Sequence, residues 1–407
     1  MSYIKRGTRN FRMANLALFA GGFNTFAILW STQPLLPEIA KEFHVSPAVS
    51  SLTVSAATIA LAISMLFVGS LSEVFGRKSV MTISLLASSV IAILTAFSPN
   101  FHYLLFFRIL QGIVLAGLPA IAMAYLGEEI EPPSLGLAMG LYISGNSIGG
   151  MSGRIISGVL TDYFDWKIAL VGIGIISLIA SLLFWMTLPK STHFKPREFE
   201  IKKLGTSLLS QFKEPGLLYL YVIAFLLQGS FTTLYNYIGF QLLAPPYSLS
   251  QTLVGFIFVV YLVGTFSSTW MGMLADQHGR RKILQVSLII LLVGACFTLN
   301  TNIWFKFIGL AIFTFGFFAG HSIASGWIGK ISTHDKAQAS SLYLFFYYAG
   351  SSIGGTAGGT FYSGFGWVGV IGMIICFAMI AILISVRLST ITKRRLQLSP
   401  MKLHLKS

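Results

Sequence analysis

The chain has 407 residues, of which 55% are hydrophobic and only 10% charged, and its mean hydropathy is +0.76. Because a soluble globular protein carries roughly 25% charged residues, this composition argues against a cytosolic enzyme, a secreted domain and a disordered chain. The formal charge of +15 would favour nucleic-acid binding only in a soluble protein. The two cysteines, Cys296 and Cys376, lie in apolar runs without metal-ligand spacing, so neither a disulfide framework nor a zinc site is indicated.

Long charge-free stretches follow one another along the chain. A helix needs about 20 apolar residues to cross the hydrocarbon core, and turn signals such as Ser98-Pro99-Asn100 and Ser363-Gly364-Phe365-Gly366 divide the longest stretches. The first stretch exceeds the apolar region of a signal peptide, which is about 7–15 residues. The sequence therefore predicts twelve membrane spans. Their approximate limits are 13–37, 51–73, 79–98, 101–126, 135–160, 168–188, 216–243, 251–275, 283–299, 303–329, 338–361 and 367–386.

The cations of the chain predict its orientation. Most of the 28 Lys and Arg residues fall in the N-terminus, the even-to-odd loops, the central loop and the tail, whereas Lys41, Lys167 and Lys306 fall near the other side. Cytoplasmic loops carry the excess of Lys and Arg, so we expect both termini in the cytoplasm. The central loop supplies Lys190, Lys195, Arg197, Lys202, Lys203 and Lys213, and the tail supplies Arg387, Lys393, Arg394, Arg395, Lys402 and Lys406.

Two loops half a chain apart carry one pattern of glycine, leucine, acid, glycine and arginine. It reads Gly69, Leu71, Glu73, Gly76 and Arg77 between spans 2 and 3, and Gly272, Leu274, Asp276, Gly279 and Arg280 between spans 8 and 9. We expect Gly69 and Gly272 to end spans 2 and 8 and to let neighbouring helices approach closely. A weaker repeat pairs residues 145–150 with 350–355. Such duplication predicts an N-terminal six-helix bundle over 1–188, a cytoplasmic linker over 189–215 and a C-terminal six-helix bundle with a basic tail over 216–407.

The repeated loop pattern resembles the signature of the major facilitator superfamily, which has it at these two loops. The resemblance implies an all-α membrane protein with twelve transmembrane helices in two pseudo-symmetric bundles and alternating access to a central site. It also implies that the acid and the arginine of each loop latch the halves while the transporter faces outward, with Glu128, Glu129 or Glu131 as candidate partners of Arg77. Because Glu73 replaces the usual Asp, we expect the first latch to be longer and weaker. The competing interpretation is that the arginines only set topology.

Span 5 carries a second resemblance. Its spacing is similar to the family's antiporter motif, Gly-x8-Gly-x3-Gly-Pro-x2-Gly-Gly, of twelve-span drug–proton antiporters and sugar-efflux relatives. We expect the glycines to form a groove against span 8 or the partner half. An arginine replaces the proline, and we expect it to reach the outer interface or pair with Asp162 or Asp165; direct coupling is the alternative. The motif positions are Gly140, Gly149, Gly153, Arg154 and Gly158.

Polar side chains inside spans mark a candidate substrate and proton pathway, because hydrocarbon penalises them. Arg108 and Gln111 in span 4 resemble a motif that the family associates with proton coupling or substrate contact. Span 7 shows one polar stripe, which favours a wet cavity, although any single residue can instead form a helix–helix hydrogen bond. The further candidates in spans 1, 7 and 10, which the family fold places around the central cavity, are Asn24, Gln33, Gln228, Tyr235, Asn236 and His321.

None of the 13 acids falls at mid-membrane. Arg108 without a nearby acid favours an anionic or neutral hydroxylated substrate over a permanently cationic drug. Proton coupling then depends on His321, whose side chain titrates near neutral pH, on Glu38, or on the cytoplasmic glutamates. The chain lacks a phosphate-binding loop and any catalytic triad or zinc-protease helix, so we predict no enzyme, no cofactor and no metal.

The sequence thus predicts a secondary transporter of a small organic compound in the bacterial inner membrane, with proton-coupled efflux as the first interpretation. The whole-chain pattern resembles the arabinose-efflux-permease or YnfM-like branch of the superfamily. We expect protons and membrane lipids as partners, no nucleic acid, and a monomer. An importer or facilitator on the same fold, and a non-transporting membrane sensor or scaffold, are the alternatives.

Overall fold

The computed structural model of the chain describes residues 3–194, 201–332 and 335–403, and the side chains of all of these except 201–204, 215 and 389–403. Lys195, Arg197 and Lys406 of the orientation argument lie outside the described residues. The described part is helical. Its α-helices are α1 (Arg9–Trp30), α2 (Leu36–Glu42), α3 (Pro47–Phe75), α4 (Arg77–Thr95), α5 (Phe101–Leu115), α6 (Gly117–Glu129), α7 (Pro132–Tyr163), α8 (Trp166–Thr187), α9 (Ile201–Gln211), α10 (Pro215–Leu243), α11 (Gln251–Phe256), α12 (Tyr261–His278), α13 (Arg280–Phe297), α14 (Ile303–Ile331) and α15 (Lys336–Leu403).

Nine helical stretches among the described residues are long and apolar enough to cross a membrane. The last of them, Lys336–Leu388, holds two predicted spans, since its backbone leaves helical geometry at Gly366 (φ 59°, ψ −149°). Two further predicted spans correspond to α7, which is rich in glycine and serine, and α13, which begins with three consecutive cations. All twelve predicted spans therefore have a helix at their place.

Several spans end or bend where the sequence did not indicate it. We predicted span 1 to run to residue 37, which was wrong: α1 ends at Trp30, and the chain turns before α2 begins at Leu36. Pro34 explains this end, because proline lacks the N–H that would bond the Trp30 carbonyl four residues earlier, and its ring clashes with that carbonyl. Span 4 is divided into α5 and α6 at Ala116, which keeps helical φ and ψ, and a short 3-10 turn at Ile257–Val260 separates α11 from α12.

The chain divides into two compact units. The first consists of Met1–Glu200 with Tyr235–Val259. Its core contains Leu18, Leu85, Leu118 and Tyr142, each at most 3% exposed. It therefore holds α1–α8 together with the end of α10 and the start of the eighth span.

The second unit consists of Ile201–Leu234 with Val260–Ser407. Its core is aromatic: the rings of Phe231 and Phe317 stack with centroids 3.8 Å apart, and the ring centroid of Tyr261 lies 5.4 Å from that of Phe231. The division into 1–188, 189–215 and 216–407 stays a prediction from the repeat. The linker part of that prediction contains an unforeseen helix, α9.

Candidate substrate pathway and gating loops

The side chain of Arg108, which belongs to α5, lies against the C-terminal end of α1. Its Nε donates to the Thr53 carbonyl at 2.7 Å, its Nη1 to the Ile28 carbonyl at 3.3 Å and to Gln111 Oε1 at 2.8 Å, and its Nη2 to the Leu29 carbonyl at 2.8 Å. The last carbonyls of a helix lack intrahelical donors and carry partial negative charge. Arg108, which is 1% exposed, therefore caps α1, and all four acceptors are neutral oxygens.

Arg154 lies near the same helix end, between two aromatic rings. Its Nε donates to Gln33 Oε1 at 2.7 Å and its Nη1 to the Gly150 carbonyl at 2.7 Å. Its Cζ lies 4.7 Å from the centroid of Trp30 and 4.8 Å from that of Phe258. A cation over an aromatic face is attracted by the ring quadrupole, so these rings help to hold the guanidinium inside the unit. Neither ring was among the residues predicted from the sequence.

The expectation that Arg154 reaches the outer interface or pairs with an outer acid was wrong. The residue is 1% exposed, and both acids bind backbone N–H groups instead. Asp162 accepts from the Thr252 N–H at 3.3 Å, and Asp165 caps α8 through the Ile168 N–H at 2.7 Å.

Gln33 connects Arg154 to the seventh span. It accepts from Arg154 and donates through Nε2 to Asn236 Oδ1 at 2.8 Å. Tyr235 lies beside this contact, with its ring centroid 5.2 Å from that of Phe258. The structure therefore brings four predicted site residues, Gln33, Arg154, Tyr235 and Asn236, into one buried cluster of the first unit.

Asn24 and Gln228 lie elsewhere. Asn24 Nδ2 donates to Ser181 Oγ at 2.5 Å and to the Ser177 carbonyl at 3.0 Å, which is the helix–helix contact that we considered as the alternative. Gln228 donates to Thr232 Oγ1 at 3.3 Å, and Thr232 in turn meets Ser351 Oγ of α15 at 2.8 Å. The predicted polar stripe of span 7 is thus divided between two separate networks.

His321 belongs to an aromatic cluster of the second unit. A hydrogen bond of 2.9 Å joins its Nδ1 to the Tyr343 hydroxyl. The rings of Tyr347 and Phe317 lie 4.6 Å and 6.1 Å from the imidazole centroid. Two tyrosines of α15 therefore contact the one histidine of the predicted pathway.

Two glycines of the repeated loop have the same backbone role. Gly76 (φ 90°) separates α3 from α4, and Gly279 (φ 94°) separates α12 from α13. Positive φ favours glycine because it has no Cβ. The other two glycines were wrongly expected to end their spans and permit close helix approach. Gly69 and Gly272 lie inside α3 and α12, and an added Cβ would meet its nearest neighbour only at 3.9 Å and 3.8 Å, respectively.

The charges of the two loops form different ion pairs. Arg77 pairs with Glu128 at 2.8 Å, donates to Ser72 Oγ at 2.5 Å, and lies 3.5 Å from Glu73. In the second unit, Arg280 pairs with Asp276 at 2.8 Å, and Lys330 approaches the same carboxylate at 3.2 Å. The Arg77–Glu73 distance is thus longer than the Arg280–Asp276 distance, as expected. Of the three glutamates considered as partners of Arg77, Glu128 forms the ion pair. A latch between the halves stays a prediction.

Glu129 and Glu131 bind other segments. The buried carboxylate of Glu129 accepts from the backbone N–H groups of Thr192 at 2.7 Å and His193 at 2.9 Å. Glu131 accepts from the Arg6 N–H at 2.8 Å, and this bond and the Ser134 hydroxyl lower the pKa of the Glu131 carboxyl. These two acids therefore anchor the segment after span 6 and the N-terminal segment.

The glycines of span 5 pack mainly against α1. A Cβ at Gly149 would lie 2.2 Å from the Phe23 carbonyl oxygen, and one at Gly153 would lie 2.6 Å from Ala27 Cα. Gly158 faces the start of the eighth span, where an added Cβ would lie 2.8 Å from the Gln251 carbonyl oxygen, whereas a Cβ at Gly140 would meet nothing within 4 Å. The expected groove against span 8 is therefore correct for Gly158 only.

Replacing Gly149 with alanine is expected to destabilise the protein by about 1–3 kcal/mol, the usual range for an overpacked core, because α1 must move away from α7. Thermal unfolding of the purified protein in detergent measures the effect. Gly140→Ala is the matched control and should leave the melting temperature unchanged. Equal melting temperatures of the two variants would contradict the packing of α1 on α7.

The model of the Major Facilitator Superfamily matches residues 18–247 and 235–402, so the chain belongs to this superfamily of membrane transporters. It is 55% identical over 385 residues to the uncharacterized MFS-type transporter YybF of Bacillus subtilis (strain 168), with 95% of each chain covered. It is 47% identical over 386 residues to the inner membrane transport protein YnfM of Escherichia coli (strain K12), with 95% of this chain and 93% of the relative covered. The predicted resemblance is confirmed.

A solved structure shows the same fold. It is that of a bacterial homolog of the human lysosomal transporter Spinster, inward-facing and occupied, with a TM-score of 0.77 and 16% identity. The match covers 94% of this chain and 98% of that chain. The prediction of the superfamily's twelve-helix membrane fold is therefore confirmed, and the chain is a multi-pass membrane transporter.

Proposed function

We propose that this transporter exports a small organic anion, or a neutral hydroxylated compound, from the cytoplasm in exchange for protons. The observation that carries the proposal is Arg108, a buried cation whose four acceptors are neutral oxygens. The protein acts as a monomer in the bacterial inner membrane, with both termini in the cytoplasm, and the two halves alternate in exposing the site.

The charge of Arg108 supports the choice of substrate class. Two unit charges about 4 Å apart interact by about 4 kcal/mol at an effective dielectric constant near 20. A substrate carboxylate near Arg108 gains attraction of this order, and a cationic drug meets repulsion. The nearby cluster of Gln33, Asn236 and Tyr235 offers amide and hydroxyl groups to a small hydroxylated compound.

His321 is the proposed proton site. The imidazole of His321 can take up and release a proton at its ring nitrogens, and its bond to Tyr343 ties that change to α15. Protonation makes both ring nitrogens donors, so the Tyr343 hydroxyl then accepts from Nδ1 and directs its own proton to the His321 carbonyl, 3.3 Å away. Proton uptake on one side and release on the other then alter the contact between α14 and α15.

A screen followed by a flux measurement tests the proposal. Thermal shifts of the purified protein with organic acids, sugars and cationic drugs identify a ligand. Everted membrane vesicles with an imposed pH gradient then measure its uptake, which corresponds to efflux in the cell. We expect gradient-driven accumulation in wild type; accumulation that ignores the gradient would favour a facilitator, and a screen in which only cationic drugs bind would contradict the substrate class.

His321→Gln is expected to abolish accumulation driven by the pH gradient while leaving exchange between equal substrate pools intact, because glutamine cannot titrate. The measurement compares both fluxes in the same vesicles. His102→Gln, which changes an exposed histidine at the start of α5, is the matched control and should behave as wild type. Unchanged gradient-driven accumulation in His321→Gln would show that the proton binds elsewhere.

A further inference from the structure

A cavity of about 560 Å³ lies between the start of α4 and the end of α8, within the first unit. Lys78 and Thr82 line it from α4, Trp185 lines it from α8, and Lys190 lines it just beyond α8. No carboxylate is among the residues that line it. The cavity therefore combines positive charge with an aromatic wall at the membrane end that carries the first repeated loop.

Two lysines supply the charge that is available in this cavity. Arg77 also lines it, but its guanidinium is engaged by Glu128 and Ser72. Lys78 donates one N–H to the Leu188 carbonyl at 2.5 Å, which leaves two of its three donors. Lys190 is exposed. An anion in the cavity would therefore meet two ammonium groups.

Thr82 also lines this cavity, and its hydroxyl oxygen is buried beside it. The residue is only 7% exposed, and its Oγ1 has no hydrogen-bond partner among the described residues. A helical threonine commonly bonds the carbonyl one turn earlier. Thr82 lies four residues after Lys78, so both side chains lie on one helix face. The hydroxyl and the ammonium groups together match the oxygens of a phosphate ester.

The rim of the cavity is apolar and exposed. Ile83 is 67% exposed and Trp185 is 53% exposed, and both belong to membrane-spanning helices. Surfaces of this kind are covered by lipid tails in a bilayer, and tryptophan concentrates at headgroup level. This arrangement favours a phosphate that carries acyl chains over a free phosphate ion.

We propose that this cavity binds the headgroup of an anionic phospholipid from the leaflet at the Arg77 end of the bundle. Lys78, Lys190 and Thr82 hold the phosphate, and an acyl chain lies along Ile83 and Trp185. Basic pockets between membrane helices bind anionic headgroups on the cytoplasmic side. The proposal is independent of the substrate and of the direction of transport.

Native mass spectrometry of the purified full-length protein with phosphatidylglycerol or phosphatidylcholine tests the site. We expect selective retention of phosphatidylglycerol, weakened about fivefold by Lys190→Gln and again by Lys78→Gln, as each removes one basic contact. Thr82→Val, which keeps the side-chain shape, should weaken retention without lowering the melting temperature. It keeps the test valid if Lys78→Gln fails to fold.

Arg281→Gln is the matched control, because Arg281 occupies the position of Lys78 in the second half, and its retention should equal that of wild type. Equal retention of the two lipids, or retention unchanged in Lys190→Gln and Thr82→Val, would overturn the proposal. Displacement of the lipid by millimolar inorganic phosphate would also overturn it, by assigning the cavity to a free anion.

Discussion

Arg108→Met is expected to lower the free energy of unfolding by about 3–5 kcal/mol. The change removes the guanidinium donor from the buried carbonyl oxygens of Thr53, Ile28 and Leu29, and a hydrogen bond to a charged group contributes about 1.5–3 kcal/mol. The C-terminal end of α1 also loses the cation that faces its dipole. Denaturant or thermal unfolding of the purified protein measures the loss.

Two further variants separate charge from geometry at this position. Arg108→Lys keeps the charge but has three donors on one atom, so it should recover part of the stability and still bind the substrate weakly. Arg12→Met, which removes an exposed arginine of α1, should change little. Stability equal to wild type in Arg108→Met would contradict the capping role of the guanidinium.

Asp276→Asn is expected to reduce turnover about tenfold, the scale of a conformational coupling, without lowering the melting temperature. Its carboxylate is 60% exposed and pairs with Arg280 and Lys330, and exposed ion pairs add little to stability. Turnover is sensitive to the loss of this carboxylate, because the loop must change its contacts in each transport cycle. Flux in vesicles and thermal unfolding are measured on the same preparation.

The matched control removes another exposed pair. Glu42 and Lys167 lie 3.3 Å apart, with half-exposed side chains outside the repeated loops. Glu42→Gln should leave both turnover and melting temperature unchanged. A non-transporting membrane sensor predicts no measurable flux in wild type, and normal turnover in Asp276→Asn would contradict the gating role of the second loop.

The sequence predicted the fold because its signals are local. Apolar stretches of bilayer length locate the helices, and the glycine at each repeated loop marks a turn, as the positive φ of Gly76 and Gly279 shows. The break at Gly366 also lies within a predicted turn signal, Ser363–Gly366. Helix ends were less predictable: the end of α1 depends on Pro34, whose effect a hydropathy window does not register.

The candidate site could be predicted only in its residue types. That Gln33, Arg154 and Asn236 carry polar groups is visible in the sequence, whereas their mutual contacts join segments far apart in the chain. The orientation of the Arg154 side chain depends on the rings of Trp30 and Phe258. No sequence spacing links these two residues to Arg154. Asn24 bonds a neighbouring helix through Ser181 and Ser177, and its place in the substrate pathway stays a prediction.

Single-cysteine labelling tests the central claim most directly, namely that two homologous halves carry their repeated loops on the cytoplasmic face and alternate around one site. In a background without Cys296 and Cys376, cysteines replace Val74 and its counterpart Gln277, both exposed. The account predicts that a membrane-impermeant maleimide labels both positions in everted vesicles and neither in intact cells. Labelling of the two positions from opposite faces of the membrane would contradict it.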